Sequence, residues 1–130
     1  MKNEKENIIL NKSFDSALQI IELYKQMKTQ NEYVLSKQVL RSGTSIGANV
    51  EEATAAISKK DFTTKMSISS KEARETRYWL KLIDTSNLLN VDVKPHLDEV
   101  EQPINLLQLS KLFKIKNLTF KIQHLKFLTC

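Results

Sequence analysis

Four glutamates in the middle of the chain are the residues whose type and spacing could support chemistry. They form two pairs, Glu51 with Glu52 and Glu72 with Glu75. Carboxylates on facing helices hold two metal ions in some bundles, but that site also needs a Glu-x-x-His motif on two helices. Neither His96 nor His124 follows a glutamate at that spacing. Arginines in the same segments can neutralise the carboxylates, so the pattern does not favour a metal site.

Other catalytic signatures are missing from the sequence as well. The chain has no P-loop, no Gly-x-Ser-x-Gly motif, no Cys/His spacing typical of zinc and no plausible Ser-His-acid set. We therefore expect a protein that is not an enzyme, with no catalytic residue, no metal and no cofactor.

Cations recur along one side of a helix expected over residues 59–89. At about 100° per residue, this side lies opposite the expected core positions and is therefore exposed. Its members, with one lysine that could join from the preceding helix, are Lys37, Lys60, Lys71, Arg74, Tyr78 and Lys81. Cations with an aromatic residue at helical spacing could follow the phosphates of RNA or DNA. Such charges also occur on ordinary solvated faces, so both interpretations remain open.

A second pattern suggests contacts between copies of the chain. Beside the expected core positions, two helices carry lines that mix small, charged and large apolar residues. These are Arg41, Ser45, Ala48, Asn49 and Glu52, with Ala56 alongside, on one helix, and Ile68, Glu72, Glu75, Trp79 and Leu82 on the next. Arg41 is expected close to Glu75, where a charge-assisted pair could form. The lines fit either a homo-oligomer interface or the wide apolar face of a monomer.

The elements that position these residues are helices. With two glycines and two prolines in 130 residues, the chain lacks the turn residues of an all-β protein. Apolar residues at steps of three and four predict helices over residues 11–28, 33–57, 59–89 and 93–112. Short links between them predict an all-α, antiparallel up-down-up-down four-helix bundle over residues 1–112.

Inward-facing positions can be assigned on each predicted helix. On helix 1 these are Phe14, Ala17, Leu18, Ile21 and Tyr24, and the seam of helix 2 runs from Leu35 to Ile57.

Ser58 is expected to cap helix 3. A hairpin about Ser58 places Ile46 near Ala73, Val50 near Ser69 and Gly43 near Thr76. Gly43 and Gly47 fit a close crossing of helices 2 and 3, whereas Pro103 predicts a kink or break in helix 4.

Charge is unevenly distributed along the chain. Residues 1–110 contain fifteen basic and fifteen acidic residues, whereas residues 111–130 contain five lysines and no acid. The excess of five positive charges therefore lies in residues 111–130. The pattern leaves the structure of the basic segment 113–130 unassigned. No secretory signal or membrane span is visible, and the single Cys130 excludes an internal disulfide. We expect a cytoplasmic protein without a membrane role.

Two stretches together resemble a known bacterial family. The pattern is Gln-x-x-Arg…Ser-Ile-x-Ala-Asn-x-x-Glu on helix 2 with a glutamate on helix 3, matched here by Gln38, Arg41, Ser45, Ile46, Ala48, Asn49, Glu52 and Glu75. In this and in neighbouring stretches from about Asn7 to Leu112, the chain resembles the 23S rRNA intervening-sequence proteins. It departs from many members at Gly47, where proline is frequent, and at Ala53, where glycine is frequent.

The resemblance implies a cytoplasmic four-helix bundle that assembles with itself, typically as a homopentamer, and has no established enzymatic activity. It implies RNA or DNA as a proposed partner. It also implies a reverse transcriptase as a possible protein partner, because relatives accompany the reverse transcriptase of diversity-generating retroelements. Together with the cationic positions, this favours a non-enzymatic homo-oligomer that binds nucleic acid. The alternative is a scaffold whose partner is another protein, with no nucleic-acid role.

Overall fold

Four helices form an antiparallel all-α bundle, as the sequence predicts. The computed structural model describes residues 4–102 and 104–105. Its helices are α1 (Glu4–Thr29), α2 (Leu35–Thr54), α3 (Lys59–Ser86) and α4 (residues 94–102 and 104–105). α2 packs against both α1 and α3. Pro103, the expected end of helix 4 and the segment 113–130 lie outside the described residues.

Polar side chains set the helix ends. The carboxylate of Glu32 accepts hydrogen bonds from the backbone N–H groups of Val34, Leu35 and Ser36 at 2.7–3.0 Å, so it caps α2. Ser58 Oγ accepts from the N–H of Asp61 at 3.0 Å, which confirms the predicted cap of α3. At the other end of α3 the backbone turns left-handed at Asn87, a conformation that asparagine tolerates well.

Buried aliphatic side chains fill the centre of the bundle. The largest fully buried ones are Leu23, Met27, Ile46, Leu80, Ile83, Ile104, Val39 and Val93. Hydroxyl groups lie among them: Ser69 Oγ donates to the carbonyl of Ile46 at 2.8 Å, and Thr76 Oγ1 lies 2.9 Å from Ser42 Oγ. These bonds place the α2–α3 hairpin within a few residues of the predicted register.

The predicted inward face of α1 is wrong. Phe14 is 64% exposed and Leu18 48% exposed, while Ser13, Ser16, Ile20, Leu23 and Met27 form the buried side. Ser13 lies inside the helix, and its hydroxyl donates to the carbonyl of Leu10. α1 begins at Glu4, seven residues earlier than expected. α1 has apolar residues on two sides, and apolar spacing alone selected the side that is not buried.

Two further expectations for α2 need correction. The helix ends at Thr54, so Ile57 lies in the turn and is 96% exposed instead of buried. The glycines face α1 and not α3: a Cβ on Gly43 would lie 2.8 Å from Ile20, and one on Gly47 would lie 3.2 Å from the carbonyl oxygen of Ser13. Absence of a side chain at these positions lets α1 approach α2 closely.

Polar contacts fasten the remaining elements. Gln30 and Asn90 form two hydrogen bonds of 2.8 and 2.9 Å, which join the link after α1 to the link before α4. Arg77 on α3 donates to Glu101 on α4 at 3.0 Å. Within residues 4–102 and 104–105, no helix has the length and apolar content needed to cross a membrane.

Candidate nucleic-acid and assembly interfaces

An arginine-centred network lies on the outer side of the α2–α3 hairpin. Arg41 pairs with Glu75, donates to Glu72 at 3.5 Å and donates to Gln38 on its own helix at 3.3 Å. Trp79 Nε1 donates to the same Glu75 carboxylate at 3.3 Å. The expected Arg41–Glu75 pair is therefore confirmed, and it lies within one chain.

The network remains accessible to a partner. The side chain of Arg41 is 51% exposed, that of Glu75 39% and that of Glu72 22%. Exposed ion pairs contribute only about 0–1 kcal/mol to stability, so these contacts do little to hold the monomer together. They do fix the orientation of a guanidinium and an indole at the surface, and both groups are enriched at protein interfaces.

The other predicted assembly residues have mixed roles. Ser45 Oγ donates to the carbonyl of Arg41, and Asn49 Nδ2 donates to the carbonyl of Ser45 at 2.8 Å. These donors serve the backbone of α2. Ala48 is exposed and bears no polar group. Ser45 and Asn49 are half-buried, so the middle of this surface is lined by short side chains.

Glu52 pairs with a lysine that the sequence did not single out. Its carboxylate lies 2.9 Å from Lys65 Nζ, and this hydrogen bond raises the pKa of Lys65. The register of the α2–α3 hairpin could have predicted this pair, because the same register that brings Glu75 close to Arg41 brings Lys65 close to Glu52. We call the residues on this outer side the α2–α3 surface; they are Arg41, Ser45, Ala48, Asn49, Glu52, Lys65, Ile68, Glu72, Glu75, Trp79 and Leu82.

A strip of cations runs along α3 on the side away from the core. All five residues predicted there, which we call the α3 strip, are exposed; they are Lys60, Lys71, Arg74, Tyr78 and Lys81. At about 100° per residue they fall within about 80° of one another, in a sector shared only with Thr63, Ser67 and Thr85. Within the described part of the chain, none of the four cations forms an ion pair.

The two surfaces meet at adjacent aromatic residues. The rings of Tyr78, on the α3 strip, and Trp79, on the α2–α3 surface, have centroids 5.3 Å apart and are tilted by 48°. Lys37 is exposed, but it lies on α2, one turn before Arg41. The structure therefore places five of the six predicted nucleic-acid residues on one helix and the sixth on its neighbour.

A cleft of about 260 Å³ opens between α1, α2 and α4. Its charged lining residues are Lys12, Asp15 and Glu99, and two glutamines, two serines and aliphatic side chains complete the wall. Among the residues that the structure describes, no three His, Cys, Asp or Glu side chains are placed to hold a metal ion.

Comparison with known proteins places the fold. Residues 5–109 match the family model described as 23S rRNA-intervening sequence protein. The chain is also similar to a crystal structure from Bacteroides thetaiotaomicron VPI-5482, described as a protein with unknown function from the S23 ribosomal protein family. The two are 44% identical with a TM-score of 0.73, over 79% of this chain and 94% of that one. No curated protein matches the chain.

Proposed function

Since the chain belongs to the 23S rRNA-intervening sequence protein family, we propose that it is a non-enzymatic, cytoplasmic homo-oligomer that binds RNA or DNA through the α3 strip. The observation that carries this proposal is the composition of the strip. Four exposed cations and an exposed tyrosine share one side of a helix with hydroxyl residues, and they have no ion-pair partners within residues 4–102 and 104–105.

The geometry of the strip suits a phosphate backbone. From Lys60 to Lys81 the helix rises by about 30 Å at about 1.5 Å per residue, which is long enough to meet several phosphates. Each cation that neutralises a phosphate releases bound counterions, so log K falls with log[salt] by about 0.9 per contact on duplex DNA and about 0.7 on a single strand. Four contacts give a slope of about −3 to −4, and the exposed ring of Tyr78 can stack on an unpaired base.

A charge-reversal experiment tests the α3 strip. Changing Lys71, Arg74 and Lys81 together to Glu should abolish binding to labelled RNA and DNA oligonucleotides in fluorescence anisotropy, because the sign of the strip is inverted. The matched control changes three exposed lysines elsewhere, Lys12, Lys28 and Lys94, to Glu. Both variants alter the net charge equally, so the control should retain most of the affinity.

Two outcomes would contradict binding by the strip. Equal losses in the two variants would mean that net charge alone attracts the nucleic acid. Wild-type affinity that stays constant as salt rises fourfold would exclude phosphate neutralisation, since the expected slope gives a loss on the order of 10²-fold. Circular dichroism and thermal melting of each variant check that the bundle remains folded.

Assembly is proposed to use the α2–α3 surface. Arg41→Glu places a third carboxylate beside Glu72 and Glu75, so it should lower the mass measured by light scattering. Adding Glu75→Arg should restore the mass in part, because the pair is re-formed with reversed sign. Trp79 is the single tryptophan of the chain, so its quenching by acrylamide should increase when assembly is lost. A monomeric wild type at micromolar concentration would remove this part of the proposal.

The alternative function is a scaffold for another protein, such as a reverse transcriptase. The half-buried indole of Trp79 and the exposed guanidinium of Arg41 on the α2–α3 surface favour it, since both residue types are common anchors at protein interfaces. Co-purification of a specific protein without nucleic acid, together with no oligonucleotide binding, would support this alternative over the α3 strip.

A further inference from the structure

α1 presents an apolar face that the described residues, 4–102 and 104–105, leave exposed. Phe14 and Leu18, four residues apart, are 64% and 48% exposed, and Ile21 beside them is half-buried. We call these three residues the α1 face. They lie within about 60° of one another and about 150° from the buried side of the helix. Two large exposed apolar residues on adjacent turns are typical of a contact site.

The α1 face lies on a particular side of the bundle. Asp15 and Gln19, on another side of α1, line the cleft that α4 borders through Glu99 and Gln102. The α1 face points outward from the bundle, about 120° around the helix from the side that borders α4 and about 120° from Ser13 and Ile20, which contact α2. The α1 face and the α2–α3 surface therefore lie on different helices and on different sides of the bundle.

The two surfaces have complementary shapes and charges. The α1 face offers bulky apolar side chains, whereas the α2–α3 surface has short ones at Ser45 and Ala48. Near the α1 face, two exposed lysines at positions 25 and 28 outnumber Glu22, whose carboxylate pairs with Lys25. The ion pairs of the α2–α3 surface contain three glutamates and two cations. Opposite excess charges would attract the two surfaces.

From this complementarity we infer that the α1 face of one subunit docks on the α2–α3 surface of a second copy of this chain. The inference rests on the proposed self-assembly and specifies its geometry. Such a contact is heterologous, so each subunit uses two different surfaces, and every added subunit leaves one of each free until a ring closes.

A mixing experiment tests this geometry. The first variant carries Phe14→Ser with Leu18→Ser, which removes the α1 face; the second carries Arg41→Glu, which disrupts the α2–α3 surface. Each should be mostly monomeric in sedimentation velocity, with assembly weakened at least tenfold, since loss of an anchor at an interface costs that much or more. A concentrated equimolar mixture should form a dimer with one copy of each and grow no further, because one intact surface of each kind remains.

The matched control is Ile8→Ser. Ile8 lies on α1 with 47% exposure, close to that of Leu18, but it faces about 80° away around the helix. This variant should keep the wild-type mass. Circular dichroism of all variants should show unchanged helicity, because the altered side chains are exposed.

The remaining outcomes separate the inference from the proposed function. Wild-type mass in the Phe14/Leu18 variant would overturn the inference and leave self-assembly standing. That result is expected if residues 106–130 of the same chain, and not a second copy, contact the α1 face. Dimers of the Arg41→Glu variant alone, or no mixed dimer, would also overturn it, the former in favour of contact between two α1 faces. A monomeric wild type would refute self-assembly itself.

Discussion

A single methyl group at Gly43 tests how closely α1 and α2 pack. An alanine Cβ there would lie 2.8 Å from Cγ2 and 2.9 Å from Cγ1 of Ile20, whereas carbon atoms in favourable contact are about 3.5–4.0 Å apart. Both Cγ atoms branch directly from Cβ, and isoleucine in a helix strongly prefers one χ1 rotamer. Ile20 cannot rotate away, so the two helices must separate.

Two opposing terms determine the free energy of unfolding of Gly43→Ala. Alanine is favoured over glycine inside a helix by about 1 kcal/mol, and overpacking a well-packed core costs about 1–3 kcal/mol. We expect a net loss of about 1 kcal/mol. Gly47→Ala is the matched control, because its Cβ would lie 3.2 Å from the carbonyl oxygen of Ser13, and this milder contact should leave stability near that of the wild type.

A double-mutant cycle identifies the clash. Ile20→Ala alone should cost about 2–5 kcal/mol. It also removes both Cγ atoms, so Gly43→Ala should stabilise the Ile20→Ala protein by about 1 kcal/mol through helix propensity. The coupling energy is then about 2 kcal/mol in favour of the double variant.

The assay is urea unfolding followed by circular dichroism. All variants are compared at one protein concentration, because assembly makes apparent stability depend on concentration. Additive effects in the cycle, or a Gly43→Ala protein more stable than the wild type, would refute the close contact between α1 and α2 as the reason for glycine.

Two further predictions concern the helix ends. Burial raises the pKa of Glu32, but the backbone N–H donors from Leu35, Ser36 and Val34 outweigh it and lower the pKa overall. We expect the free energy of unfolding of the wild type to exceed that of Glu32→Gln by about 1 kcal/mol, the usual contribution of a helix cap. This difference should be fully present above the unfolded-state pKa of glutamate, and it should disappear as pH falls through the lower folded-state pKa. Urea unfolding at several pH values measures this difference, and a difference that grows on acidification would contradict it. At Asn87, whose φ is 52°, alanine should cost about 1 kcal/mol while glycine is tolerated; equal melting temperatures for the two variants would argue against the left-handed cap.

The α2–α3 hairpin could be predicted closely because its signals are local and continuous. Apolar and small residues recur at regular steps on both helices, and Ser58 marks the turn between them, so counting from the turn places Glu75 within one helical turn of the position opposite Arg41. The confirmed ion pair follows from that count. The Glu52–Lys65 pair follows from the same register, and it was missed because Lys65 had not been assigned to a surface.

The orientation of α1 could not be predicted in the same way. Its sequence offers two apolar sides, and the one with Phe14 is the richer by residue type. The buried side includes Ser13, and the absence of side chains at Gly43 and Gly47 on α2 allows close approach there. Burial of a small polar residue becomes favourable only when a second helix supplies the complementary gap, and periodicity in one helix contains no information about that gap.

By itself, the sequence determined the helical class, the hairpin register and the positions that form the α3 strip, because each depends on spacing within one or two consecutive elements. Only the tertiary structure decided which helix the glycines face, which side of α1 is buried and how the α2 cap is made. These features depend on which surfaces fit together at close range. Close packing depends on the shapes of elements that are distant in sequence. The exposure of Phe14 and Leu18 among the described residues could therefore be recognised only in the assembled bundle.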